Sequence, residues 1–183
     1  MQPLAFADIT VDRLVEAEGP GFAPAYLLPD SELEAIKAEG DWLEPHFYDP
    51  ARERLIQSQH TFVVRTRHHT ILVDTCVGND KERPSSKPWH HMRTPYLENL
   101  GALGVAPEAV DFVLCTHLHV DHVGWNTRLE NGRWVPTFAN AKYLFHQVEL
   151  AYWEEHGDYL GPGTGASDGF YEDSVLPVMA AGQ

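Results

Sequence analysis

Cysteine is scarce in this sequence. Cys76 and Cys115 are the only two among 183 residues. They cannot build a disulfide framework, and no Cys-x-x-Cys pair exists to form a zinc knuckle. Both lie in apolar, strand-like runs, which predicts two buried, reduced thiols. Basic residues are also few: Lys plus Arg number 13 against 27 Asp plus Glu, for a formal net charge of −14. Such a surface repels phosphate backbones, so nucleic acid is not an expected partner. Bound divalent cations would offset part of that charge. Long apolar runs are missing too. Nowhere do about 18 apolar residues follow one another, so no membrane-spanning helix is expected. The opening MQPLAFADITVDRLVEAEGPG has no basic start before an apolar block, and no secretory signal is read there. A cytoplasmic location is the expectation. The glycine-rich GPGTGAS at 161–167 lacks the Gly-Lys-Ser/Thr ending of a phosphate-binding loop and reads as flexible linker.

What is present predicts a folded chain. Apolar residues make up 43% of it, enough for a core, and the length suits one domain over 1–183. Residues 5–16 read as a first strand and Gly19–Pro29 as loop. Ser31 with Glu34 fits a capping box opening a short helix that ends at Gly40. Residues 60–75 read as two strands around a polar turn at Arg67–His69. A polar loop follows, and Thr94-Pro95 marks the start of a helix lined by Leu97, Leu100 and Leu103 and ended by Gly104. DFVLCT (111–116) reads as a buried strand. Asn131-Gly132 is a hairpin turn signal. AKYLFH reads as a strand, QVELAYWEEHG as an amphipathic helix, and FYEDSVLPVMAAG as a last helix kinked or stopped at Pro177. Strands alternating with helices predict a sheet covered by helices, in the α/β or α+β class.

The chemistry concentrates in THLHVDHVGW (116–125). His117, His119, Asp121 and His122 place four ligand-type side chains within six residues. In an extended segment, side chains at i, i+2 and i+4 point the same way. His117, His119 and Asp121 therefore share one side, and His122 falls one step out of phase. Two imidazoles aimed at one point suit a first metal. A carboxylate with a third imidazole suits a second. Such donors favour zinc, with iron or manganese also suited. The cluster follows a buried strand, the place where α/β sheets put ligand sites. Asp74 ends the apolar run TILVDT. It is either a loop hydrogen-bonder or a carboxylate that orients a metal-bound histidine. His68 and His69 are expected in an exposed turn. His46, His60, His146 and His156 are isolated, and structural or exposed roles are expected for them. His90 and His91 precede a helix start. Trp89, His90 and Trp125 are candidate pocket walls, although core packing accounts for the tryptophans equally.

THLHVDHVGW resembles the His-x-His-x-Asp-His signature of the metallo-β-lactamase superfamily, and TILVDT resembles that family's strand ending in aspartate. The similarity spans roughly residues 55–160. KPWHHMRTP and DSVLPV are most similar to its lactonase-like and methyl-parathion-hydrolase-like branch. The resemblance implies an α+β fold, the αββα sandwich, of which this chain would be the N-terminal portion only. It implies that His117 and His119 hold one metal, Asp121 and His122 a second, and that a metal-bound hydroxide hydrolyses the substrate. Asp121 would also pass a proton toward the leaving group. Small lactones, esters or phosphotriesters are the expected substrates. The family's further ligands lie downstream, in a Gly-His-Thr-Pro-Gly-His-like segment, a bridging aspartate and a final histidine. None is matched here, so the second-metal site is expected to be incomplete and the domain truncated at its C-terminus. Two other readings stay open: a non-catalytic metal-binding fragment, and another chemistry of the superfamily such as di-iron redox or thioester hydrolysis.

Overall fold

The strand-forming stretches of the sequence, rich in Val, Ile, Leu and Phe, assemble into one main sheet. The computed structural model describes residues 3–156 and 168–183; the linker expected at 161–167 lies outside them. The strands are β1 (Leu4–Phe6), β2 (Ile9–Pro20), β3 (Tyr48–Asp49), β4 (Arg54–Arg65), β5 (Thr70–Val73), β6 (Phe112–Leu114), β7 (Thr127–Glu130), β8 (Arg133–Pro136) and β9 (Lys142–Leu144). The helices are α1 (Pro24–Leu27), α2 (Leu33–Ala38), α3 (Gly40–Leu43), α4 (Tyr96–Ala102), α5 (Gln147–His156) and α6 (Leu176–Ala180). The main sheet runs β1-β2-β4-β5-β6-β9, with β3 beside β4, while β7 and β8 form a separate hairpin. The fold is α+β, as expected.

Contacts divide the chain into two compact units. The first comprises residues 1–16 and 60–183. Its antiparallel β4–β5 pair continues into parallel β6 and β9. Register places Val63, Leu72, Val113 and Tyr143 in one row across these four strands. That row is buried, together with Tyr96 and Leu100 of α4, Trp153 of α5 and Val178 of α6. The alternate row, Phe62, Val73, Leu114 and Leu144, faces the other way because side chains alternate along a strand. Phe62 is 42% exposed, Leu114 37% and Leu144 46%. The sheet thus has one covered face and one open apolar face.

The second unit, residues 17–59, holds α1 to α3 and the short β3–β4 ladder, where Tyr48 faces Leu55. Tyr48 is fully buried. Lys37 pairs with Glu34 and Glu53.

Several boundaries differ from expectation. The first strand is a hairpin, because Ala7 takes a left-handed turn (φ 54°) between β1 and β2. The capping box does not form: Glu32 is the N-cap of α2 without a side-chain bond, and Glu34 turns to Lys37 instead. Gly40 opens α3 rather than ending a helix. Pro95, not Thr94, caps α4, since the Thr94 hydroxyl is engaged by Asn79 and Glu16. Pro177 sits in the first turn of α6, where its missing N–H costs nothing, after a π-turn over Tyr171–Val175. The Arg67–His69 turn and the Asn131-Gly132 hairpin form as read, the latter with positive φ at both residues. Among the described residues, no helix is long and apolar enough to cross a membrane.

Candidate functional site

Parallel pairing of β5 and β6 brings two loops to the same end of the sheet. Val73 lies beside Leu114, and the next residues, Asp74 and Cys115, begin the loops. Asp74 takes a left-handed conformation (φ 58°), and its N–H donates to the Leu114 carbonyl at 2.9 Å. This turn aims its carboxylate across at the second loop. There it accepts from the Thr116 N–H at 2.8 Å, from the Thr116 hydroxyl at 2.9 Å, and from His122 Nδ1 at 2.9 Å. Asp74 thus bonds both to the loop at Thr116 and to a histidine of the cluster.

The histidine loop is anchored by its apolar residues. Leu118, Val120 and Val123 are buried, while His117 and Asp121 are half-buried and His119 is exposed. The expected alternation therefore holds from 117 to 121. His122 departs from expectation. The His122 N–H donates to the His119 carbonyl at 3.0 Å, closing a turn that returns its ring to the same side. The His117 and His122 ring centres lie 3.9 Å apart, and those of His117 and His119 4.5 Å. His122 Nε2 is 3.7 Å from Asp121 Oδ1. All four side chains thus gather in one place.

Neighbouring charge sorts the titratable groups. Burial works against charge on His122, but its bond to Asp74 and the nearby carboxylates raise its pKa above 6.5. Burial lowers His117, aided by like charge from His122 and His119. Burial alone would raise Asp74, yet the His122 and Thr116 bonds bring it below 3.8.

Residues distant in sequence hold the loops. The Leu118 N–H donates to Glu149 of α5 at 2.9 Å. Glu16 of β2 is a buried carboxylate that accepts from the N–H groups of Val77 and Gly78, the Thr94 hydroxyl and Trp125 Nε1. The two loops also touch backbone to backbone. A Cβ at Gly124 would lie 1.8 Å from the Val77 carbonyl oxygen, and Gly78 sits at φ 83°. Sequence reasoning missed Glu16 and Glu149, since a lone glutamate in a strand or a helix carries no local signal of its role.

The other candidates separate clearly. Trp125 is buried and stacked on Tyr96, so it is core rather than pocket wall. Trp89 packs against the same core. His90 is exposed, and its Nδ1 accepts from the Arg83 N–H. His146 and His156 bond to their own helix backbone. Cys76 and Cys115 are free and buried, as expected, and burial raises both thiols, Cys115 to about 12.

Three imidazoles and a carboxylate are the right donors for zinc. Among the described residues, however, no three His, Cys, Asp or Glu side chains are grouped so as to hold a metal ion. The set fits a metal in type and falls short as a closed cage, for which three or four protein ligands are usual.

The comparisons agree with this fold. A family model described as the metallo-beta-lactamase superfamily matches residues 56–161. No curated protein matches the chain. Among solved structures, the chain is similar to hydrolase AbOPH of the beta lactamase superfamily, at 23% identity and TM-score 0.70, covering 97% of this chain and 57% of that one. It is similar to a probable metal-dependent hydrolase from Staphylococcus aureus, at 17% identity and TM-score 0.64, covering 83% and 52%. It is also similar to AidC, a dizinc quorum-quenching lactonase, at 18% identity and TM-score 0.63, covering 83% and 46%. The chain spans about half the length of these structures. With the family model matched over more than half of its residues, the chain belongs to the metallo-β-lactamase superfamily.

Proposed function

We propose that this chain carries the metal-binding loop of a hydrolase acting on small lactones, esters or phosphotriesters. The observation that carries the reading is the gathering of His117, His119, Asp121 and His122 at one end of the sheet, with Asp74 bonded to His122. His117 with His119 would hold one divalent ion and Asp121 with His122 another, zinc first, iron or manganese next. When bound, such ions act as Lewis acids and lower the pKa of a coordinated water.

The chain's own residues do the rest. Asp74 holds the His122 Nδ1 proton, which leaves Nε2 free to act as a donor atom. Asp121, half-buried beside His122, is placed to carry a proton toward a leaving group. Leu118, Val120 and Val123 keep the loop seated while its polar side chains stay accessible. The substrate is a small molecule; the net charge of −14 disfavours nucleic acid. AidC shares the fold and is a lactonase, so a lactone is the first substrate to test.

Replacing His117 and His119 together by Ala should abolish both bound zinc and hydrolysis. Unchanged zinc content by elemental analysis would refute the assignment. A second reading is metal binding without catalysis, by the four ligand-type side chains alone. It prevails if the intact protein binds metal yet hydrolyses no lactone, ester, thioester or phosphoester.

A further inference from the structure

Glu16 lies 101 positions before His117 in the chain, on a strand that contributes nothing else to the histidine cluster. Its carboxylate nevertheless gathers both loops. Oε2 accepts from the Val77 N–H at 2.8 Å, and Oε1 from the Gly78 N–H at 3.3 Å. Oε1 also accepts from Trp125 Nε1 at 2.5 Å and from the Thr94 hydroxyl at 3.2 Å. Four donors from three segments therefore converge on one buried side chain.

Two of those segments are zipped to each other, and one of them bonds to His122. The Thr75 N–H donates to the His122 carbonyl at 2.8 Å, the Gly124 N–H to the Cys76 carbonyl at 2.7 Å, and the Trp125 N–H to the Thr75 carbonyl at 2.8 Å. A shift of 75–78 against 124–125 would thus move the backbone of His122. The contact has no slack, because Gly124 already meets Val77 backbone to backbone. An acceptor is what this position needs. A neutral amide of the same shape would turn an N–H group toward the converging donors.

We propose that Glu16 is a positioning residue for the metal-binding loop: its carboxylate locks residues 75–78 to residues 124–125 and so fixes His122. The inference rests on the metal-site reading above for its purpose, but not for its geometry.

The test is amide hydrogen exchange on the intact, metal-free protein, comparing wild type with Glu16→Gln. Exchange at Thr75, Gly78, Gly124 and Trp125 should quicken by about tenfold or more, while Val64 and Ile71 of the β4–β5 ladder keep their rates. Should Glu16→Gln fail to fold, Trp125→Phe removes a single donor and keeps the ring on Tyr96. It should loosen the same amides to a smaller degree. Zinc affinity, titrated with the metal alone, should fall by about tenfold in Glu16→Gln, as for other groups that orient metal ligands. Unchanged exchange at the loop amides, or equal quickening at Val64 and Ile71, overturns the proposal. Loosened loops in Glu16→Gln, with zinc content untouched in the His117→Ala, His119→Ala double variant, would sink the metal reading alone.

Discussion

The Asp74–His122 contact is the most informative single interaction in the molecule. The His122 pKa is raised above 6.5 and that of Asp74 is lowered below 3.8. For the metal-free protein, the His122 share of stability is complete below 6.5 and is lost as pH rises through the raised value. The Asp74 share is present above 3.8 and is lost as pH falls through the lowered value. The pair therefore stabilises most between these limits. Asp74→Asn should lower the His122 pKa, as read from its ring proton shifts in an NMR titration; an unchanged midpoint would contradict the contact. Zinc needs neutral imidazole, so affinity should also weaken as pH falls below the raised His122 value. Gly124 has no room for a side chain. Its Cβ would strike the Val77 carbonyl, so Gly124→Ala should cost about 3 kcal/mol in urea unfolding. The ligand-type residues themselves were legible in the sequence, because six adjacent positions carry them. The direction of His122 was not, since it depends on a turn closed by the His119 carbonyl rather than on strand period.

At the scale of elements, the loop after β5 is tied to the end of the chain. Arg83 makes two bonds to the Asp173 carboxylate, at 2.7 and 2.9 Å. Lys81 donates to Thr127 and to the Asp173 carbonyl and lies 3.6 Å over the Trp134 ring. Both cations are fully buried, and burial pushes Lys81 down to about 7 despite Asp173. Asp173→Asn would leave the buried Arg83 charge without its counter-ion, with Lys81 pushed further down. It should cost about 3–5 kcal/mol in denaturant unfolding. A change below about 1 kcal/mol, the range of exposed pairs, would show that the network is not stabilising. This clasp was hidden in the sequence, where Lys81 and Arg83 read as part of a polar loop. Their partner lies some 90 residues away, and composition says nothing about pairs so distant. The hairpin at Asn131-Gly132 was legible for the opposite reason: its signal is local and needs only positive φ at two residues. The capping box at Ser31 failed because its Glu34 had a competing cation one turn on.

For the whole molecule, the alternation of strands and helices left α/β and α+β open, and the family resemblance implied the α+β αββα sandwich. The structure shows a sheet with Val63, Leu72, Val113 and Tyr143 covered, and Phe62, Leu114 and Leu144 open to solvent. Open apolar sheet faces drive association. The isolated chain should self-associate increasingly as salt screens its charge of −14. Leu114→Ser with Leu144→Ser should suppress this in light scattering. Metal binding by the loop at the end of that sheet is tested most directly by the metal stoichiometry of the protein. Elemental analysis should find zinc, iron or manganese retained by the wild type and lost when His117 and His119 are both replaced by Ala. Equal metal content in the two proteins, or none in either, would contradict it.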